Sequence, residues 1–459
     1  MKEFMLKQQT PMIHFQVRFM VDSVPGNNGR PPRNVTRPTP EYYDSGTTLR
    51  ATEVKPKLDY FIFQCLSHKQ GKRLSSEDIE KIRSQHPAWF FIRKNKDAAA
   101  KKNHALDYQL RFSVDGKGTA EDCKSPLFFA NNTVKPGNTR VGTIFSDSTI
   151  KMRLLCFHPE LEQFIAERLP LFFMVTNFGA RQDKGFGSFK LLDASCKPLL
   201  PRAQMEQQIV EWFAPSVVYK LDYPESPHND SILNDVNIFY RVLKSGINDV
   251  KFDKRTGETE HIAYIKSYLT RFFLSFSIGS EKRRLKETKV VDVPKPTHPK
   301  TLEKDKEPNQ LDDYWFIRGL LGVSEVQNWV KSHSEIKIQA RNDQFARMPS
   351  PLLFMVSDHT LYFVLQEPYN RAGGDVFYSF TNKRDSRRTV DIALPSKKTL
   401  REKNIDLAVM MRGFVEELNG KGNYHTRELL QKLGKGKQKP EIFNSDPNWQ
   451  IVPLKGGAD

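Results

Sequence analysis

The sequence predicts an α+β fold, on three observations. Short runs in which apolar and polar residues alternate are interleaved with stretches of helical apolar spacing. The chain has 459 residues, more than one hydrophobic core organises, which favours two domains or one with long insertions. It is 38% hydrophobic and 11% aromatic, with 32 Phe, enough for a packed interior despite a net charge of +17. The basic excess, at a pI of about 9.5, therefore belongs to a folded body and not to a disordered tail.

The elements follow in order. Met12–Met20 alternates and reads as the first strand. Pro25–Pro38, with three arginines, four prolines and no acid, is a loop. Apolar residues at helical spacing from Leu58 predict a helix over Lys57–Leu66, with Pro56 in its first turn. Ser75–Ile79 carries a capping signature for a short helix. Leu106–Val114 and Thr149–Phe157 read as strands, and His158–Leu169 as an amphipathic helix opened by Pro159. After the glycine-rich turn at 176–189 come further strands. Strand, helix, strand, strand, helix, strand is the order of a ferredoxin-like β-α-β-β-α-β unit with large insertions.

Beyond this first domain, 1–225, residues 226–280 read as a helical insertion through Ile232, Val236, Phe239 and Val242, then Ile262, Ile265, Leu269 and Phe273. Glu281–Pro308 has four prolines, nine basic and six acidic residues and little apolar pattern, so 281–310 reads as a charged linker. A second domain is expected over 311–459. It contains a hairpin, Leu352–Val356 and Leu361–Leu365 about the turn Ser357–Thr360, and a helix over Asp406–Leu418 ended near Asn419-Gly420.

No apolar stretch approaches the roughly 20 residues that cross a bilayer, and no secretory signal opens the chain, so a cytoplasmic protein without membrane contact is expected. Cys65, Cys123, Cys156 and Cys196 lack C-x-x-C spacing, which argues against a disulfide framework or a cysteine zinc site and leaves buried free thiols. No metal or cofactor is expected. A basic folded protein of this kind binds nucleic acid, binds an anionic surface, or carries its charge for solubility; a spread of basic segments, with no single amphipathic basic helix, disfavours the membrane.

The sharpest motif is Thr176–Phe189, with Gly179, Gly185 and Gly187, the cations Arg181 and Lys184, and Phe186 between the last two glycines. Glycines let a backbone lie against a ligand, so its N–H groups can face phosphate oxygens while the cations add charge. The other reading is a hairpin that only reverses the chain. A Walker loop is excluded because no Gly-Lys-Ser or Gly-Lys-Thr ends the segment, and strand-like Ser188–Leu192 replaces the helix a dinucleotide fingerprint requires.

Gly179–Ser188 resembles the G-x-R-x-x-x-G-(Y/F)-G-S glycine loop of RAMP proteins, the repeat-associated subunits of CRISPR effector complexes. Leu49–Phe61 sits where the large two-domain RAMP subunit of the type III-B Cmr complex has an Arg-x-(S/T)-x-(I/L)-(K/R)-G segment leading into an aromatic-rich helix. Arg347–Leu353 resembles that subunit's R-x-x-S-P-(L/V) segment. The resemblance implies two ferredoxin-like domains, an RNA-binding structural role, guide RNA and possible target RNA as ligands, and other effector subunits as partners.

On that basis the candidate RNA-binding residues are Arg50, Lys55 and Lys57 at a helix start, and Phe178, Gly179, Arg181, Lys184, Gly185, Phe186, Gly187 and Ser188 in the loop. Phe178 and Phe186 can stack on bases or belong to the core. Arg30, Arg33 and Arg37 form a possible clamping arm or a solvated loop. The alternative function is a metal-independent endoribonuclease acting on CRISPR repeat RNA. His14 is its one candidate base, and a strand histidine is more often structural. No H-E-x-x-H, G-x-S-x-G or G-G-D-D motif is present, and a non-catalytic role is favoured.

Overall fold

The structure, a computed structural model, describes residues 1–24, 33–38, 49–91, 105–114, 121–122, 139–145, 148–224, 229–252, 259–291, 311–323, 326–329, 334–341, 348–366, 374–422, 424–433 and 439–454. The α+β class holds: helices pack on several mainly antiparallel sheets.

The first unit runs β1 (Lys2–Gln8), α1 (Ala51–Leu66), β2 (Tyr108–Val114), β3 (Ile150–Cys156), α2 (Pro159–Val175) and β4 (Phe189–Leu192). Its sheet has the order β2-β3-β1-β4, antiparallel throughout. Period-two alternation puts Phe4, Leu6, Leu110, Met152, Leu154 and Leu191 in one core with Leu58, Phe61 and Ile62 of α1 and Leu161, Ile165 and Leu169 of α2. The first strand of this sheet is thus Lys2–Gln8, not the expected Met12–Met20. Met12–Val24 instead pairs with Arg33–Pro38 and Thr139–Phe145 in a separate sheet. The strand was hard to read because only Phe4 and Leu6 carry its apolar face.

Both long helices exceed their expected bounds through a proline. α1 starts at Ala51, so Pro56 sits inside it and offers no N–H to the carbonyl of Thr52. α2 continues past Pro170 to Val175 because Phe172, Phe173, Met174 and Val175 are all buried. The Ser75 cap is as predicted: its hydroxyl accepts the Asp78 N–H, and Asp78 accepts the Ser75 N–H in return.

Helix α3 (Arg202–Phe213) leads into a second unit of β5 (Val218–Asp222), α4 (Asn229–Lys244), β6 (Leu352–Ser357), β7 (Thr360–Leu365), α5 (Leu407–Leu418) and β8 (Val452–Pro453). The order β6-β7-β5-β8 repeats that of the first sheet, second-third-first-fourth, again antiparallel. The β6–β7 turn is the expected one, with Asp358 and His359 both at positive φ as a two-residue hairpin demands. Asp406 caps α5 by accepting the Ala408 N–H at 2.7 Å.

This second sheet separates two cores. Val218, Met355, Tyr362 and Val364 join the core of the first unit, while Tyr219, Leu221, Phe354, Val356, Leu361 and Phe363 join a second core with α4 and α5. Among the described residues the expected helical insertion, 226–280, is helical only at α4 and at Tyr268–Leu274; between them Ile247–Phe252 and Thr259–Ile265 form a hairpin. Gly246 forces the break after α4, at φ +78° and tight against the carbonyl of Ile265. A six-stranded sheet, from Ile278–Ser280 to Thr389–Leu394 and Val326–Trp329, completes the second core. Within the expected linker Glu281–Glu287 is a helix, and 292–310 lie outside the described residues.

Candidate nucleic-acid interface

The glycine loop connects α2 to β4, and its polar groups are largely satisfied from within the protein. Asn177, 2% exposed, is the hub: its Nδ2 donates to the carbonyls of Gln182 (2.6 Å) and Phe354 (2.8 Å), and its Oδ1 accepts from Ser188 Oγ (2.8 Å). Thr10 Oγ1 donates to the Gly185 carbonyl at 2.7 Å and accepts the Ser188 N–H at 2.9 Å. The Gly187 N–H reaches the Pro11 carbonyl, and the Phe178 N–H the Gly187 carbonyl, both at 2.9 Å. Gly187 sits at φ +70°, and a Cβ there would lie 2.8 Å from the carbonyl carbon of Phe178 and closer still to its oxygen. Glycine is required at that position because backbone passes over backbone.

The start of α1 is joined to this loop. The Gly179 N–H donates to Glu53 Oε1 at 2.5 Å, and Lys57 Nζ donates to the Asn177 carbonyl at 2.7 Å. The Arg347–Leu353 segment arrives from the second unit: Lys184 Nζ lies 3.4 Å from Ser350 Oγ, and the Phe354 N–H donates to the Asp183 carbonyl at 3.1 Å. Three motifs spread over some 300 residues of sequence therefore meet at one place. Arg347 itself lies outside the described residues.

The predicted residues differ in where their functional groups point. Arg50, the N-cap residue of α1, and Arg181, at φ +57° in the loop, are half-buried. Lys55 turns inward to Asp59 (2.9 Å), the Leu106 carbonyl (2.9 Å) and the Tyr108 ring (4.0 Å). Lys57 lies 4.8 Å from the Phe178 ring centroid, and burial pushes its ammonium down to about 8. Lys184 has only 17% of its side chain exposed; it pairs with Asp183 at 3.0 Å and lies 3.4 Å from the Tyr240 ring centroid, and burial lowers it to about 8. Burial also pulls the Arg181 guanidinium downward.

Phe178 and Phe186 are 0% and 3% exposed, so the stacking reading meets the core reading and the core holds the rings. Phe178 packs edge-on to Phe172 and Phe189. His14 and the arm arginines Arg33 and Arg37 fall on strands whose side chains lie outside the described residues, as does all of Arg30. Among the described residues no three His, Cys, Asp or Glu side chains are grouped to hold a metal. No described helix is long and apolar enough to cross a membrane. Cys65, Cys156 and Cys196 are free thiols, but the first two are half-buried and Cys196 is exposed, not buried as expected.

Sequence reasoning missed Asn177, Thr10, Tyr240 and Lys244. Lys244, on α4, donates to Tyr240 Oη (3.1 Å) and to the carbonyls of Leu321 (3.1 Å) and Gly322 (2.8 Å). Burial, then the nearby charges of Lys184 and Arg318, push it down to about 7. Its signal was weak: a lysine on a helix face is ordinarily solvated.

Comparison with known proteins defines the class. Residues 41–247 match the model of the Cmr1 N-terminal domain and residues 264–435 that of the Cmr1 C-terminal domain. No curated protein gives a match. Among solved structures, the apo form of Cmr1 from Pyrococcus furiosus is similar over 80% of this chain and 89% of that one, at 8% identity and a TM-score of 0.35. The two domain matches, in order and spanning most of the chain, define a RAMP subunit of a CRISPR effector complex. Within that class the chain belongs to the Cmr1 family, and so to the subunits of the type III-B complex.

Proposed function

We propose that this chain is an RNA-binding structural subunit that holds the guide-RNA backbone along the junction of the α1 start and the glycine loop, and packs against other subunits of its complex. Two ferredoxin-like domains form its frame, meeting at that loop; the repeated second-third-first-fourth strand order supports this reading. Phe178, Gly185, Gly187 and Ser188 shape the loop, while Lys55, Lys57 and Lys184 brace it from inside. Contact with phosphate falls to Arg50 and Arg181, with target RNA a further possible ligand.

The observation that carries the reading is the Glu53–Gly179 bond, which brings the helix start bearing Arg50 against the loop bearing Arg181 from 126 residues away. Two arginines on adjoining segments, one of them the N-cap residue of a helix, suit a phosphodiester backbone. The test is the salt dependence of binding to single-stranded RNA. Replacing both Arg50 and Arg181 by Ala should flatten the log–log slope by about one to two units, at roughly 0.7 for each phosphate no longer neutralised. An unchanged slope would remove this junction from the binding surface.

A further inference from the structure

The helix Tyr268–Leu274 packs beside α5, and together with the segment around Tyr424 they enclose an open cavity of about 350 Å³ that shares no residue with the glycine loop. Tyr268, Phe272 and Tyr424 supply its ring faces. The Tyr268 and Phe272 rings are near-parallel, 20° apart, with centroids separated by 6.5 Å.

Two features hold these rings at a cost to the fold. Gly413 occupies the interior of α5, where most residues favour the helix more. A Cβ at Gly413 would run into the Tyr268 hydroxyl, so glycine is what lets that ring lie against the helix. Behind the rings Arg271, 9% exposed, is paired with Glu417 through two bonds of 2.9 and 2.5 Å. Its guanidinium lies 3.9 Å from the Tyr424 ring centroid and 5.2 Å from that of Tyr268. Tyr424 is nonetheless 37% exposed, more than a ring serving only the core requires.

The chemistry of the lining selects the ligand. Arg271 and Lys421 balance Glu416 and Glu417, so the cavity has no net charge to draw in a lone phosphate. With the Arg271 cation already beside two of the rings, a second cation is repelled. A neutral planar ring that stacks, and whose edge offers donors and acceptors to Glu416 and Lys421, meets every requirement. We propose that this cavity receives an unpaired nucleobase of single-stranded RNA, stacked on Tyr424.

The experiment is saturation-transfer NMR on the full chain with adenosine and uridine 5′-monophosphates as probes, with N-acetyltryptophanamide in parallel. Base protons should saturate more strongly than ribose protons. Tyr424→Ala should weaken binding roughly ten- to a hundredfold, and Tyr424→Phe should restore it, as stacking requires. A 4-thiouridine oligonucleotide should crosslink to the peptide containing Tyr424. Thermal melts of the variants report folding, which the exposed position of Tyr424 should spare. Binding unchanged in Tyr424→Ala, or saturation of N-acetyltryptophanamide without that of the nucleotides, would overturn the proposal, the latter in favour of a protein side chain. Arg50→Ala with Arg181→Ala should leave mononucleotide binding intact, so failure here and failure of the backbone-binding reading give different results.

Discussion

The ammonium of Lys184 lies 3.4 Å from the ring centroid of Tyr240, and this contact ties the glycine loop of the first unit to α4 of the second. The Tyr240 hydroxyl donates to the Leu321 carbonyl at 2.8 Å and accepts from Lys244 at 3.1 Å. The ring and the hydroxyl thus have separable roles. Tyr240→Phe keeps the ring under Lys184 and should cost about 1 kcal/mol. Tyr240→Leu removes both and should cost about 3 kcal/mol. Urea unfolding of the two variants distinguishes them, and equal destabilisation would mean that the cation–ring interaction contributes nothing.

The loop glycines are unequal. Gly185, at φ +80°, has its nearest neighbours for a Cβ at 3.4 Å or beyond, so Gly185→Ala meets mainly backbone strain of about 1–2 kcal/mol. Gly187→Ala adds a collision with the Phe178 backbone and threatens the bond to Pro11. The Gly187 variant should therefore melt well below the Gly185 variant, and the reverse order would show that the loop relaxes around a side chain.

Asn177 offers a third test of the same joint. Truncation to Ala leaves the buried carbonyls of Gln182 and Phe354 without the amide that both accept from, at an expected cost of about 2–4 kcal/mol in denaturant unfolding. Asn177→Asp should do no better, since its second oxygen would face two carbonyls. A destabilisation below about 1 kcal/mol would mean that water replaces the amide.

What the sequence revealed of this joint has a physical pattern. Local signals were legible: the Ser75 capping box and the β6–β7 hairpin both depend on residues within a few positions of one another. The motifs were legible as motifs too. Direction was not. Nothing in the order of residues distinguishes a loop lysine aimed at solvent from Lys184, which is aimed at Tyr240 from 56 residues further along. Nor does it distinguish a phenylalanine facing a base from Phe178, which closes the core between Phe172 and Phe189. The β1 strand and the Ile247–Ile265 hairpin escaped for a related reason: their pairing partners, not their own short apolar patterns, stabilise them.

The buried ion pair of Arg271 and Glu417, with side chains 6% and 7% exposed, predicts an asymmetry between single and double variants. Arg271→Ala or Glu417→Ala strands a charge in the core and should cost about 3–5 kcal/mol. Arg271→Met combined with Glu417→Leu removes both charges and should be less damaging than either single change. A double variant more destabilised than either single change would show that neither single change strands a charge.

Stability should pass through a minimum near neutral pH. Burial lowers Lys244 and Lys282 to about 7, far below the unfolded lysine value of roughly 10.4. Between those values the unfolded chain binds more protons than the native one, so stability rises as pH climbs from about 7 to about 10. Asp235 behaves oppositely. Fully buried, it accepts the N–H groups of Glu441 (2.6 Å) and Ile442 (2.9 Å) and the Tyr223 hydroxyl (3.1 Å), yet burial still raises it to about 7. Its native form then holds a proton that the unfolded chain releases from about pH 4 upward, so its contribution is complete in acid and lost as pH rises through 7. Asp235→Asn should flatten the acid side of the profile and Lys244→Met should make the alkaline side shallower, with Lys282, Lys57 and Lys184 keeping part of it. Chemical denaturation at pH 5, 7 and 9 measures both limbs, and a wild-type profile that peaks at pH 7 would contradict the assignment of these groups.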